Sequence, residues 1–280
     1  MTSIVCIGTR NILPEIRRFL SSLRAWGNSI DVFVYTPKGN PEEIHPSDLP
    51  VPVIPLPKWY NAKSRVASTR NAPACLKPDA ILAEFARGSD SVLYMDCSDI
   101  MIVGDLAPLI EECEASTASL AARSFLNDRT LRHQNPDFCR AFHDLIAYRE
   151  GSPYCNDGVF WIRSGVFGYW FLTAWKAAIQ VSGQRFLKDK KIVGDQEDFN
   201  VFFRAAYLRG EARLLDKRWN IRGEESRLGL SFRDGGVYTA DGTRAVVLHA
   251  SGRVDFNPQT VEYCTKGPQP DEAGTLHALI

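Results

Sequence analysis

The chain has 280 residues, of which 45% are hydrophobic and 24% are charged, and its 33 basic and 33 acidic side chains cancel. This composition is that of an ordinary globular protein with enough apolar material for a core. The balanced charge gives no electrostatic reason to expect a nucleic-acid partner.

Cysteine usage and hydropathy bound the class of protein further. The seven cysteines include no Cys-x-x-Cys pair, so neither a zinc knuckle nor a disulfide framework is indicated. No secretory signal pattern precedes the first apolar run, and no apolar stretch reaches the ~20 residues that span a bilayer. We therefore expect a cytoplasmic protein without a transmembrane segment.

The first third of the chain alternates between strand and helix patterns. Residues 4–7 are a short apolar run that predicts a strand, and after Pro14 apolar residues recur at helical spacing up to Gly27. Residues 31–35 predict a second strand. A βαβ opening is typical of a parallel sheet that binds nucleotides at the carboxyl ends of its strands.

Later patterns are less regular. Prolines crowd residues 37–57, which excludes a regular helix and predicts an extended edge segment over residues 51–56, although a domain linker is the alternative. Further elements are predicted as helices over residues 80–85, 162–180 and 199–208, and as strands over residues 91–95 and 245–248. From Pro258 onward glycine and proline are frequent and the periodicity fades, which favours a mobile tail.

Six fragments stand out by their polar residues and their order. They are residues 92–99, 104–106, 156–159, 195–200, 218–220 and 248–252. Together they resemble the motifs of the sugar-nucleotide-dependent glycosyltransferases of the glycogenin and bacterial lipopolysaccharide galactosyltransferase type, glycosyltransferase family 8. The resemblance implies an α/β, GT-A-like nucleotide-diphospho-sugar transferase fold, with a mixed, mostly parallel central sheet flanked by helices.

The resemblance also implies how the chain is organised. It covers roughly residues 1–257, which we expect to form a single domain. Residues 1–125 would be the nucleotide-binding half, residues 126–257 the sugar and acceptor half, and residues 258–280 a C-terminal tail.

The first motif places two carboxylates after a buried strand, at Asp96 and Asp99. A hard divalent cation lets carboxylates and the phosphates of a nucleoside diphosphate share one site. The resemblance implies that Asp96, Asp99 and His249 bind the metal and that Asp96 also contacts the donor. Oxygen ligands favour Mn²⁺ or Mg²⁺, and the imidazole favours Mn²⁺.

This motif departs from the family in its spacing. The family has Asp-x-Asp, and the segment from Asp96 to Asp99 is one residue longer, so a bulge would have to absorb the extra residue. Taken alone, the two acids are more typical of a capped turn with solvated carboxylates. Taken alone, His249 is more typical of a satisfied structural residue.

Two donor contacts are implied upstream of the metal strand. Lys77, followed by proline, resembles a Lys-Pro found before the metal strand in related transferases. Arg70 lies in a segment that often contacts the nucleotide. A solvated loop followed by a helix-starting proline is the alternative.

Two more donor contacts are implied after His249. The family's His-x-x-Gly is kept as far as Gly252, but Asp255 occupies the position of the lysine that normally contacts the diphosphate. A guanidinium pairs well with phosphate oxygens, so we expect Arg253 to supply the missing cation.

The donor sugar is expected between two further motifs. Asn156, Asp157 and Gly158 resemble the family's Asn-Ser-Gly, which orients the sugar, although an Asn-Asp-Gly turn is the alternative. Residues 195–200 resemble Asp-Gln-acidic-x-x-Asn. The resemblance implies a catalytic pair in which Asp195 binds sugar hydroxyls and Gln196 lies near the anomeric carbon, and Asp195 can also cap a helix. Trp219, in the fifth motif, is assigned to packing.

The implied activity is a metal-dependent transfer of a hexose from a nucleoside diphosphate, with UDP favoured, to a glycan or another hydroxyl, with retention of anomeric configuration. Residues 125–154 would cross the mouth of the site, where Arg132 and His133 would contact the acceptor. A solvated surface loop is the alternative there.

Two other functions stay open. One is a non-catalytic protein that binds sugar nucleotides on the same fold. The other is a metal-dependent phosphohydrolase, which is disfavoured because the chain lacks the Asp-x-Asp-x-Thr/Val pattern typical of that class.

Overall fold

The structure of the protein is a computed structural model that describes residues 1–39, 41–56, 76–124, 153–189, 195–222, 229–250, 256–268 and 274–276. Helices in these ranges are α1 (Leu13–Ala25), α2 (Lys77–Ala86), α3 (Ala107–Glu114), α4 (Val166–Asp189), α5 (Asp195–Leu208) and α6 (Pro258–Lys266). Strands in these ranges are β1 (Thr2–Ile7), β2 (Val32–Pro37), β3 (Val53–Leu56), β4 (Ser91–Met95), β5 (Ile100–Ile102), β6 (Leu120–Ser124), β7 (Cys155–Arg163), β8 (Ala212–Leu214), β9 (Ile221–Arg222), β10 (Leu230–Arg233), β11 (Gly236–Thr239), β12 (Arg244–Ala245), β13 (Val247–His249) and β14 (Gly274–Leu276).

The central sheet has seven strands in the order β3-β2-β1-β4-β7-β6-β8. Strands β3, β2, β1 and β4 are parallel, and β6 is parallel to β8. Strand β7 runs antiparallel to both of its neighbours, β4 and β6. The expected α/β architecture, a mixed and mostly parallel sheet flanked by helices, is therefore confirmed.

Alternating apolar residues explain why the central strands are buried on both faces. Ile4 and Leu93 belong to the core on one face of the sheet, and Val5 and Tyr94 belong to the core on the other. Successive side chains of a strand point to opposite faces, so each central strand contributes to both cores. Strands β1, β2 and β4 and the edge strand β3 lie where the sequence predicts them.

Two smaller sheets complete the fold. One joins β5, β13 and β9, and its antiparallel register pairs His249 with Ile100. The other is antiparallel, in the order β12-β11-β10-β14. Because β5 follows Asp99 directly, the three-stranded sheet sets the end of β13 beside the end of β4.

Three elements differ from the sequence expectation. Residues 156–158 lie within β7 and form no turn. Residues 162 and 163, which were expected to begin a helix, are the end of the same strand, and α4 begins at Val166. Residues 258–266, expected in a mobile tail, form helix α6, and β14 follows the strand that was expected to be the last. In the described part of the chain, no helix combines the length and the apolar character needed to cross a bilayer.

Helix α6 packs against α1 and the four-stranded sheet. The indole Nε1 of Trp26 donates to the carbonyl oxygen of Cys264 over 3.0 Å. Tyr263 is 8% exposed, and its ring centroid lies 3.8 Å from that of Phe232. The helix therefore belongs to the main core.

Replacing Tyr263 with alanine tests this packing. Because large-to-small substitution in a core leaves a cavity, we expect Tyr263→Ala to lower the free energy of unfolding by about 3 kcal/mol, measured by urea denaturation. The control is Glu262→Ala on the same helix, where the side chain is 64% exposed and its loss should change the free energy of unfolding little. Equal unfolding midpoints for the two variants would contradict the packing described for α6.

Candidate functional site

The candidate site lies where β4 ends and the three-stranded sheet meets it. One ligand atom each from Asp96, Asp99 and His249 lies within 4.8 Å of the others. Residues 97 and 98 form a turn between the two acids, so this turn, and not a strand bulge, absorbs the extra residue. The structure thus brings together the three residues expected to bind a metal.

The local surroundings of Asp99 fit a cation. Its Oδ2 lies 3.4 Å from His249 Nε2, so the carboxylate and the imidazole could contact the same ion. Its Oδ1 is enclosed and has no hydrogen-bond partner within the described residues. Burial raises the pKa of Asp99, but the charge and hydrogen bond of His249 and the charge of Lys77 outweigh it, and the pKa lies below its usual value. Asp99 is thereby held as a carboxylate able to bind a metal.

Lys77 is the buried cation of the site. Its Nζ lies 3.0 Å from Asp157 Oδ2 and 3.5 Å from Asp96 Oδ2, and its side chain is only 3% exposed. The same Nζ donates to the carbonyl oxygen of Asp157 over 3.4 Å. The first residue of α2 therefore compensates two neighbouring carboxylates, because an unpaired buried charge is costly.

Gly158 allows β7 to approach the metal ligands closely. A Cβ atom at this position would lie 2.5 Å from His249 Cε1 and 2.8 Å from Asp96 Oδ2. The carbonyl oxygen of Gly158 also accepts a hydrogen bond from the backbone nitrogen of Asp96 over 2.8 Å. The glycine is required here for space, because any side chain would occupy the volume between the ligands.

A chain of hydrogen bonds fixes the amide of Gln196. Asn156 Nδ2 donates to Gln196 Oε1, and Gln196 Nε2 donates to the hydroxyl of Tyr154, each over 2.8 Å. Asn200, one turn further along α5, exchanges two hydrogen bonds with the backbone of Cys155. These contacts hold the start of α5 against β7, so Asn156 and Gln196 form one polar surface.

Several predicted site residues lie outside the described part of the chain. They are Arg70, Arg132, His133, Gly252 and Arg253. Asp195 is the first residue of α5, and the description does not extend to its side chain.

Three residues of the site were not predicted from the sequence as site residues. The hydroxyl of Tyr94 donates to Asp96 Oδ1 over 2.8 Å, Tyr154 bonds Gln196, and Asn220 Oδ1 lies 3.1 Å from His249 Nδ1. The contact of Tyr94 with Asp96 could have been predicted from the sequence, because residues i and i+2 of an extended chain lie on the same face. For Tyr154 and Asn220 the partner is distant in sequence, so no local pattern identifies it.

Comparisons with known proteins bear on the fold. No protein-family model and no curated protein sequence matches the chain. Among solved structures, it is similar to the galactosyltransferase LgtC in complex with donor and acceptor sugar analogs, with a TM-score of 0.56 and 17% identity over 91% of this chain and 88% of that one. It is also similar to an active-site mutant of LgtC, with a TM-score of 0.55 and 17% identity over 91% of this chain and 89% of that one.

A third solved structure, mouse xyloside xylosyltransferase 1 in its apo form, is more distant. It gives a TM-score of 0.48 and 14% identity over 79% of this chain and 87% of that one, and it adds nothing to the fold assignment. At the identities found for LgtC the likeness shows the fold alone, and that fold is the GT-A-like one.

Substituting Gly158 tests whether the close approach of β7 shapes the site. We expect Gly158→Ala to weaken Mn²⁺ binding by roughly 10-fold or more, because displaced ligand supports typically cost 10- to 100-fold in metal affinity. Isothermal titration calorimetry with Mn²⁺ measures the effect, and circular dichroism controls for the fold. Unchanged Mn²⁺ affinity in a folded variant would show that the cation does not lie between these groups.

Proposed function

We propose that this chain is a metal-dependent glycosyltransferase. It moves a hexose from a nucleoside diphosphate, for which we favour UDP, to a glycan or another hydroxyl acceptor. The observation that carries the proposal is the convergence of Asp96, Asp99 and His249 at the end of β4 in a GT-A-like fold. A family 8 assignment and a cytoplasmic location are parts of the same proposal.

The metal side of the proposal assigns Asp96, Asp99 and His249 as ligands of Mn²⁺, with Mg²⁺ as the alternative. When bound, such an ion neutralises the charge that develops on the diphosphate leaving group. Lys77 balances one of the carboxylates at this position, and a divalent ion with a neutral imidazole would balance the other two. Tyr94 holds Asp96 through its hydroxyl, which limits the directions the carboxylate can take.

The sugar side of the proposal assigns the surface formed by Asn156, Asp157, Gly158 and Gln196, with Asp195 at the start of α5. Gln196 is a neutral amide, oriented at both of its polar atoms by Asn156 and Tyr154. A fixed dipole stabilises charge without reorganising during the reaction. Such a group suits a reaction that develops positive charge at the anomeric carbon and needs no strong base.

All but one of the remaining contacts in the proposal belong to residues outside the described ranges. Arg70, Gly252 and Arg253 are the proposed donor contacts, and Lys77 is the proposed donor contact on α2. Arg132 and His133 are proposed to contact the acceptor.

Removal of one metal ligand tests the proposal most directly. We expect a UDP-sugar with Mn²⁺ to raise the thermal midpoint of the wild type, because a ligand present at 100 times its Kd stabilises the folded state by about 2.7 kcal/mol. Asp99→Ala should lose this shift, and Asp31→Ala, at an exposed acid before β2, should keep it. A metal-dependent shift that survives in Asp99→Ala would place the cation elsewhere.

Stereochemistry provides a second test. We expect the product to keep the anomeric configuration of the donor, because the described site offers an oriented amide at Gln196 in place of an obvious general base. Proton NMR of the first product measures the coupling at the anomeric carbon. An inverted product would overturn the assignment of Gln196, and donor binding without any turnover would favour the non-catalytic alternative.

A further inference from the structure

The imidazole of His249 has a partner on each ring nitrogen. Nε2 faces Asp99 Oδ2 at 3.4 Å, and Nδ1 faces Asn220 Oδ1 at 3.1 Å. Both His249 and Asn220 are almost fully buried, at 2% and 0% exposure. Water therefore has little access to either side of the ring, and the two partners determine where its proton lies.

The partner on Nδ1 decides which nitrogen can bind a cation. An amide oxygen can only accept a hydrogen bond, so the contact with Asn220 Oδ1 requires a proton on Nδ1. In a neutral imidazole the other nitrogen, Nε2, then carries the lone pair. That lone pair points toward Asp99. With no metal bound, a second proton on Nε2 would let the charged ring pair with this carboxylate, and a cation between the two groups would take the place of that proton.

The backbone holds Asn220 independently of its side chain. The guanidinium of Arg123, itself buried, donates to the carbonyl oxygen of Asn220. The 3-10 helix Lys217–Trp219 precedes it, and Asp216 caps that helix by accepting from the backbone nitrogen of Arg218 over 2.9 Å. Asn220 directly precedes β9, whose parallel pairing with β13 brings the amide beside His249.

We propose that Asn220 is a positioning residue that keeps the proton of His249 on Nδ1 and so leaves Nε2 free to bind the metal. The proposal rests on the proposed metal site and gives a role to Asn220, a residue of the fifth motif to which the sequence assigned none. Hydrogen-bond partners of a metal-bound imidazole fix its tautomer and its orientation, and their loss typically costs 10- to 100-fold in metal affinity.

Among the described residues, the side chain of Asn220 makes one hydrogen bond, the contact of its Oδ1 with His249 Nδ1. Its Nδ2 is buried and has no hydrogen-bond partner among the described residues. If the amide were turned the other way, its nitrogen would donate a hydrogen bond to Nδ1. The proton of the neutral ring would then lie on Nε2, and that nitrogen could not bind a cation.

Two substitutions separate the acceptor from the shape of the side chain. Asn220→Leu removes the acceptor and keeps the approximate volume, whereas Asn220→Asp keeps an acceptor for the Nδ1 proton. Calorimetric titration with Mn²⁺ alone should give an affinity about 10- to 100-fold weaker for Asn220→Leu. Asn220→Asp should bind Mn²⁺ within a few-fold of the wild type, and circular dichroism and thermal unfolding without metal show whether each variant folds.

Nitrogen-15 NMR of histidine-labelled, metal-free protein gives a second measurement, which does not depend on metal affinity. At a pH where the ring is neutral, the wild-type signal of His249 should show the proton on Nδ1. In Asn220→Leu the proton should move largely to Nε2, the tautomer that free imidazole side chains prefer. The signal is assigned by its loss in His249→Ala.

The outcomes separate this inference from the proposed function. Equal Mn²⁺ affinity in the wild type and in folded Asn220→Leu overturns the positioning role and leaves the metal site intact. Equal losses in the Leu and Asp variants overturn it too, since the acceptor would then not matter, as does a wild-type proton on Nε2. A wild type that binds no Mn²⁺ removes the metal site itself, and both proposals fail together.

Discussion

Repulsion among carboxylates is the constraint on which the rest of the site depends. Asp96, Asp99 and Asp157 meet beyond the end of β4, in a region where the surrounding protein screens charge poorly. Each carboxylate has a cationic or ring-nitrogen partner, and those partners come from α2 and β13, elements far apart in the sequence. The placement of Lys77 as the first residue of α2 and of His249 as the last residue of β13 follows from this need.

The same crowding of side chains also leaves no room for a side chain on β7 beside the carboxylates. Gly158 lies so near His249 and Asp96 that the strand can pass only without a side chain there. The antiparallel pairing of β7 with β4 brings Asn156 and Asp157 to the same edge of the sheet. Polar groups supplied by regular strands and helices are held more precisely than groups on loops, which suits the sugar-nucleotide site proposed above.

Much of this arrangement could be predicted from the sequence, for identifiable reasons. Strand β4, which ends at Met95 just before Asp96, is recognisable in the sequence as a buried apolar run, and the order of the motifs relates it to His249 and Gln196. A bulge was expected to be needed for the extra residue between Asp96 and Asp99, whereas a turn at residues 97 and 98 accommodates it, because β4 ends before Asp96.

Other features were missed where the deciding interaction is remote in sequence. The partner of Asn220 lies on another strand, and the place of β7 between β4 and β6 depends on hydrogen bonds that no local pattern specifies. Helix α6 is different, because its signals were local. Asn257 caps it, Pro258 begins it and Gly267 ends it at φ +84°. Asparagine, proline and glycine in these positions are ordinary helix boundaries, and the glycine content of the segment obscured them.

The three-stranded sheet has a consequence for how the protein reaches its native state. Residues 96 and 99 are close in sequence, but residue 249 joins them through the pairing of β13 with β5, which connects residues about half of the chain length apart. Contacts between such distant segments form slowly, because a long loop must close before any of them is made. The two acids are close to each other in sequence, whereas the histidine reaches them only through a distant contact. In the proposed metal site, an ion would bind all three ligands only after this closure and would then stabilise the native topology.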